Sequence, residues 1–154
     1  MSDPVTTEMR GEVAVVWIDN PPVNALSQAV RQGIEENITH AITDGAKAIV
    51  LAGRRDTFIA GADIREFGRP PMKPILYEVC DLIEASTIPV IALVQGNTLG
   101  GGLEVALGAH YRIATPDAKL GFPEVNLGLI PGAGGTQRSP RLFDLQDAIT
   151  LVTS

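Results

Sequence analysis

Three short runs, EVAVVWID (12–19), AKAIVLAG (46–53) and IPVIALVQG (88–96), are dense in β-branched and aliphatic residues, with polar positions only at their ends. Runs of this kind read as strands buried on both faces. YRIAT (111–115) and KLGF (119–122) predict two briefer strands. Between them the period changes from that of a strand to that of a helix. SQAVRQGIEENITHAITD (27–44) sets Val30, Ile34, Ile38, Ala41 and Ile42 on one helical face, and Ile75, Leu76, Val79, Leu82 and Ile83 repeat the arrangement. Strands that alternate with amphipathic helices predict an α/β fold with a largely parallel sheet. GRPPMKP (68–74) breaks the pattern, because its prolines forbid a regular helix or a central strand, and it reads as a surface excursion. RLFDLQDAITLVTS (141–154) places Leu142, Leu145, Ile149 and Val152 near helical spacing and ends with no glycine stop. The expectation is one domain over residues 1–154, truncated at its C-terminus.

Composition narrows the class. At 154 residues, 45% hydrophobic and 19% charged, the chain is long and apolar enough to fold around a single core. The net charge of −6 excludes a nucleic-acid surface, since no block of lysines and arginines exists to displace phosphate counterions. Arg54, Arg55, Arg65 and Arg69 form the one tight basic cluster, and they read first as a solvated loop. Cys80 is the single cysteine, so no internal disulfide framework is available. With no signal-peptide pattern and no apolar run of bilayer length, the expected location is cytoplasmic, with no membrane span.

Several chemistries fall away on spacing. His40 and His110 lack an HExxH context or cysteine companions, so no metal site is expected. GxSxG is absent, and GAGGTQR lacks the lysine of a phosphate-binding loop. What remains is a pair of glutamates in glycine-rich apolar segments: Glu104 in TLGGGLEVALG and Glu124 in LGFPEVNLGLIPGAGG. Carboxylates beside exposed backbone amides can share one water and act as acid and base. The run Gly100 to Gly102 precedes a helical pattern, so Gly101 should present its N–H at a helix N-terminus. Glu104 would then lie in the first turn, where a carboxylate also simply complements the helix dipole. In FIAGADI, Ala60, Gly61 and Ala62 permit a tight turn that aims an amide inward, and Asp63 is placed to cap a following helix.

Taken jointly, NPPVNALS, FIAGADI, LGGGLEVAL and GFPEVNLGLIPGAGGTQR resemble the crotonase, or enoyl-CoA hydratase/isomerase, superfamily in motif order and spacing. The run from Arg69 to Pro116 is most similar to the hydratase/isomerase part of multifunctional fatty-acid β-oxidation enzymes. The resemblance implies a crotonase-like spiral of repeated β-β-α units, here without its C-terminal helical part. It implies an oxyanion hole from the amides of Ala62 and Gly101, and catalysis by Glu104 and Glu124 on a shared water. Val23, Ala60, Asp63, Ile64 and Arg65 match positions lining the coenzyme A groove, and Gly132 a backbone position near the water. For Val23 and Ile64 core packing is the alternative. The implied activity is enoyl-CoA hydration, with no cofactor beyond the coenzyme A of the substrate and no NAD site. The alternatives are Δ3-Δ2-enoyl-CoA isomerisation, which needs only one base, and a non-catalytic folded interaction module. The implied partners are an acyl-CoA thioester and either further copies of the chain or further domains of a longer one.

Overall fold

The apolar runs pair as their composition predicts. In the computed structural model, which describes residues 3–153, β2 (Val13–Ile18), β3 (Ala48–Gly53), β4 (Val90–Val94) and β6 (Tyr111–Ala114) form consecutive parallel neighbours. β1 (Val5–Arg10) adds antiparallel to β2, giving a five-stranded sheet of order β1-β2-β3-β4-β6. β1 is an edge strand whose side chains are exposed after Val5, so periodicity did not announce it. A second sheet pairs β5 (Asn97–Leu99) in parallel with β7 (Lys119–Gly121), and isolated bridges tie Ile59 to Thr98 and Leu26 to Ala62. This small layer carries the FIAGADI turn alongside β5.

Helix α1 (Gln28–Thr43) starts at Ser27, whose hydroxyl accepts from the Val30 amide, and buries Val30, Ile34, Ile38 and Ala41 against β1 and β2. This is the predicted face, with Ile42 at its margin. α2 (Leu76–Glu84) buries Val79, Cys80 and Ile83, while Ile75 precedes the helix and stays exposed. Burying an aliphatic side chain of this size is worth roughly 1.5–3 kcal/mol, so these two faces carry much of the layer packing. α3 (Gly101–Gly108) is buried along its whole length between α2, α4 and β5. The Phe67–Ile75 stretch is irregular, as its prolines require.

The C-terminal segment departs from the expected single helix. α4 (Gly135–Leu142) ends at Leu142, Phe143 is extended, and α5 (Leu145–Thr153) restarts, with the Asp144 carboxylate accepting from the Asp147 amide. Pro140 removes a backbone donor inside α4, and the Asp144 side chain supplies a new start. Leu142, Leu145 and Ile149 stay largely exposed, whereas Val152 packs partly against the core. Ser154, on which the expected abrupt ending falls, lies outside the described residues.

At Gly102 in α3 the backbone approach is too close for a side chain, since a Cβ there would land on the carbonyl oxygen of Ile59. Alanine would gain about 1 kcal/mol in helix propensity, but forcing an atom into packed backbone costs about 1–3 kcal/mol or more. Gly102→Ala should therefore lower the chemical denaturation midpoint, and an unchanged or raised midpoint would show that α3 is not pressed against Ile59.

Candidate active site

The FIAGADI turn is held from below by a side chain. Asn24, buried and in the left-handed region at φ 54°, donates its amide to the carbonyls of Thr57 (2.9 Å) and Phe58 (3.1 Å) and accepts from the Asn20 amide. The Ala60 amide then donates to Val23 O, and Leu26 N to Gly61 O. The intervening amide of Ala62 has no backbone acceptor among the described turn and loop hydrogen bonds, and neither has that of Gly101. At the start of α3 the chain turns through Gly100 at φ 51°, a conformation that an L side chain rarely adopts. As a result Gly101 is the first helical residue, and Ala62 N lies 3.8 Å from where a Gly101 side chain would begin. Two free N–H groups from different elements thus line one small space.

Glu104 lies in the same first turn of α3, three residues after Gly101. It is 2% exposed, and its Oε1 accepts from the amides of Ala133 (2.7 Å) and Gly135 (2.8 Å). Burial pushes its carboxyl above the ordinary range; the two N–H donors oppose this, the nearby Glu124 adds to it, and Arg138 opposes it. Glu124 comes from a different element, the 3₁₀ turn Pro123–Leu127. Its carboxyl is also raised, by burial foremost. Its Oε2 is buried with no partner among the described residues, and its Oε1 lies 2.7 Å from where a Gly100 side chain would begin. The carboxyls therefore differ in kind: one is anchored by amides, and the other carries an unsatisfied oxygen. Such a pair suits separate roles as base and acid.

A cleft of about 150 Å³ joins these groups, lined by Ala60, Ala62, Ile64, Gly101, Glu124 and Leu127 among others. A neighbouring cavity of about 220 Å³, lined by Leu26, Phe67, Pro70 and Met72 among others, shares Ala62 and Phe67 with it. The structure thus brings Ala60, Ala62, Ile64, Gly101 and Glu124 together, with Glu104 behind them. Asp63 is buried on the neighbouring cavity, accepting from the Arg65 amide and pairing with the Arg65 guanidinium at 2.7 Å. It caps the short 3₁₀ turn Ile64–Glu66, the capping position expected for it. Val23 and Arg65 are exposed and do not line the cleft.

Gly132 is not brought there either. It is exposed, and the amides that reach Glu104 belong to Ala133 and Gly135, one and three residues on. The turn that starts α4 directs these N–H groups inward, which the glycine pattern could not resolve to a residue. Sequence reasoning also missed Asn24 and Arg138, whose importance lies in hydrogen bonds to backbone that no spacing rule reports. The basic cluster is a surface feature: Arg54 stacks over Trp17 at 4.1 Å and Arg55 pairs with Asp19. His110 Nδ1 accepts from the Val90 amide. Among the described residues no three His, Cys, Asp or Glu side chains are arranged to hold a metal ion, and no helix is long and apolar enough to cross a membrane.

The enoyl-CoA hydratase/isomerase sequence family matches residues 8–153. The chain is 48% identical over 147 residues to the peroxisomal bifunctional enzyme of Danio rerio, covering 95% of this chain and 20% of that protein. It is 48% identical over 158 residues to the peroxisomal fatty acid beta-oxidation multifunctional protein of Oryza sativa subsp. japonica, covering 96% and 22%. It thus spans about a fifth of the length of these curated relatives. Among solved structures, enoyl-CoA hydratase from Mycobacterium tuberculosis H37Rv superposes with a TM-score of 0.92 at 30% identity, over 99% of this chain and 62% of that one. The α/β crotonase-like fold expected from the motifs is therefore the fold found. The cytoplasmic expectation is overturned, because these relatives are peroxisomal proteins. Its physical basis was too weak: the lack of a signal-peptide pattern and of a bilayer-length apolar run speaks against secretion and a membrane span but does not separate the cytosol from a peroxisome.

The raised carboxyls predict a stability signature. A carboxyl raised in the folded state stabilises fully below its unfolded value, and that contribution is lost as pH rises through the folded value. Glu124→Gln should therefore raise the thermal midpoint at pH 7 and leave it nearly unchanged near pH 4, where both states are protonated. A gain of equal size at both pH values in paired melts would contradict a raised Glu124.

Proposed function

The chain belongs to the enoyl-CoA hydratase/isomerase family, and from that premise we propose that its cleft hydrates the 2,3 double bond of a trans-2-enoyl-CoA in fatty-acid β-oxidation. The thioester oxygen accepts from the amides of Ala62 and Gly101, which need no reorganisation as negative charge develops on it. Losing one such donor typically costs about 3–4 kcal/mol of barrier. Glu104, whose anionic form is favoured by the Ala133 and Gly135 amides, takes a proton from water as the water oxygen bonds to C3. Glu124, whose buried Oε2 lacks a donor, supplies a proton to C2 as the enolate collapses to the 3-hydroxyacyl thioester. The proton gained by Glu104 and the one lost from Glu124 re-equilibrate through solvent.

The observation that carries this reading is the pairing of unlike carboxyls beside two unused amides. An isomerisation shuttle requires one base; the distinct environments of Glu104 and Glu124 favour hydration. Ala60 and Ile64 form the wall of the coenzyme A groove nearest the thioester, with Val23, Asp63 and Arg65 farther along it. Likeness to the peroxisomal relatives supports a peroxisomal setting and work as one segment of a multifunctional chain.

Conversion of crotonyl-CoA, followed through loss of its conjugated absorbance, tests the assignment. Glu104→Gln and Glu124→Gln should each lower turnover by about 10²-fold or more with folding retained. Wild-type turnover in either variant would remove that residue from the mechanism, and no conversion by the unaltered protein would remove the hydratase reading.

A further inference from the structure

Arg138 is a charged side chain only 7% exposed, and the chemistry above gives it no role. Its guanidinium is occupied on both sides. Toward α2, Nη2 donates to Asp81 Oδ1 at 2.8 Å, and Nη2 and Nε donate to Glu84 Oε2 at 2.6 and 3.1 Å. Toward the chain entering α4, Nη1 donates to the carbonyl of Ala133 at 2.9 Å. The same short segment turns its amides the other way, so that Ala133 N and Gly135 N reach Glu104 Oε1. The backbone of α4 closes the arrangement, since the Arg138 amide donates to Gly134 O at 2.8 Å. A continuous path therefore runs from two carboxylates on α2, through Arg138, to the peptide groups that hold Glu104.

We propose that Arg138 is a positioning residue for Glu104: clasped by Asp81 and Glu84, it fixes the Ala133 carbonyl and so keeps the Ala133 and Gly135 amides aimed at Oε1. It acts through backbone geometry and touches no reacting atom. A planar fork with five donors suits the task, because it can grip two carboxylates and a carbonyl at once. The anchor points are well chosen: α2 packs directly on α3, with Cys80 O against Gly108, so Asp81 and Glu84 ride on a wall fixed relative to Glu104. The ionisable groups that face Glu104 are Glu124 from the Pro123–Leu127 turn, Arg138 from α4 and Cys80 from α2. Cys80 stays a neutral thiol, its pKa pushed up to about 12 by burial foremost, so Glu124 and Arg138 are the charges that matter.

A clasp and a mere nearby charge make opposite predictions. Asp81 and Glu84 are negative, so removing them should by charge alone make Glu104 easier to ionise. If they act by holding Arg138, removing them frees the amides and makes Glu104 harder to ionise. Both side chains are substantially exposed, at 45% and 61%, and alanine suits a helix, so Asp81→Ala with Glu84→Ala should fold.

The inference rests on reading Glu104 as the base, but its test needs no substrate. The Glu104 side-chain carboxyl is followed by carbon NMR across pH in the ¹³C-Glu-labelled protein, with Glu104→Gln assigning the signal. Hydrogen bonds to a charged group are worth about 1.5–3 kcal/mol and one pH unit about 1.36 kcal/mol, so loosening one should raise the midpoint by about one unit. The Asp81→Ala/Glu84→Ala protein should show that rise, and Arg138→Met, where it folds, a larger one. A lowered or unchanged midpoint in the double variant overturns the proposal, whatever Arg138→Met does. A failed crotonyl-CoA assay with a raised midpoint would sink the hydratase reading and leave the clasp standing.

Discussion

The seating of one carboxylate inside an otherwise apolar helix is the constraint on which the rest of this structure turns. Every residue of α3 is buried, and Glu104 is the charged one. Leaving such a group without partners would cost several kcal/mol, whereas two N–H donors to its Oε1 offset most of that. Those donors come from a segment nearly thirty residues further along the chain, so the helix cannot dock correctly unless the Pro131–Gly135 turn is in place. A stability requirement and a chemical one are met by the same two hydrogen bonds.

The opposite wall follows a similar logic with different parts. Asn24 uses its side chain to satisfy the Thr57 and Phe58 carbonyls, and so holds the stretch that leads into the Ala60–Ala62 turn lining the cleft. Arg31, 8% exposed, does the same for the proline-rich stretch, donating to the carbonyls of Leu26, Met72 and Pro74 and to Glu66 Oε2. Irregular backbone next to a cavity would otherwise carry unpaired carbonyls. Buried asparagine and arginine side chains thus serve as substitutes for secondary structure.

Much of this was legible in the residues. The strands β2, β3 and β4 and the face of α1 follow directly from β-branched runs and a 3.6-residue period. The two glutamates and Ala62 and Gly101 stand in glycine patterns, and the backbone conformation at Gly100 and the start of α3 at Gly101 follow from them. Illegible were β1, whose side chains after Val5 face solvent and leave no apolar trace, and the split of the C-terminal helix at Phe143, set by one aspartate cap. That Ala133 and Gly135 are the residues whose amides reach Glu104 was illegible for a related cause. Which amide of a glycine-rich turn points inward depends on dihedral angles that composition does not encode.

Cys80 shows how the same packing governs reactivity. It lies fully buried on α2 against α3, with its thiol held protonated far above neutral pH. Thiolate is the form that alkylating agents and oxidants attack, so the folded molecule hides its single cysteine twice, by access and by ionisation. Modification can then proceed only through conformations in which α2 lifts from α3. The thiol is in effect a built-in clock for the opening of the layer that holds Glu104, readable by labelling rate without adding any probe to the chain.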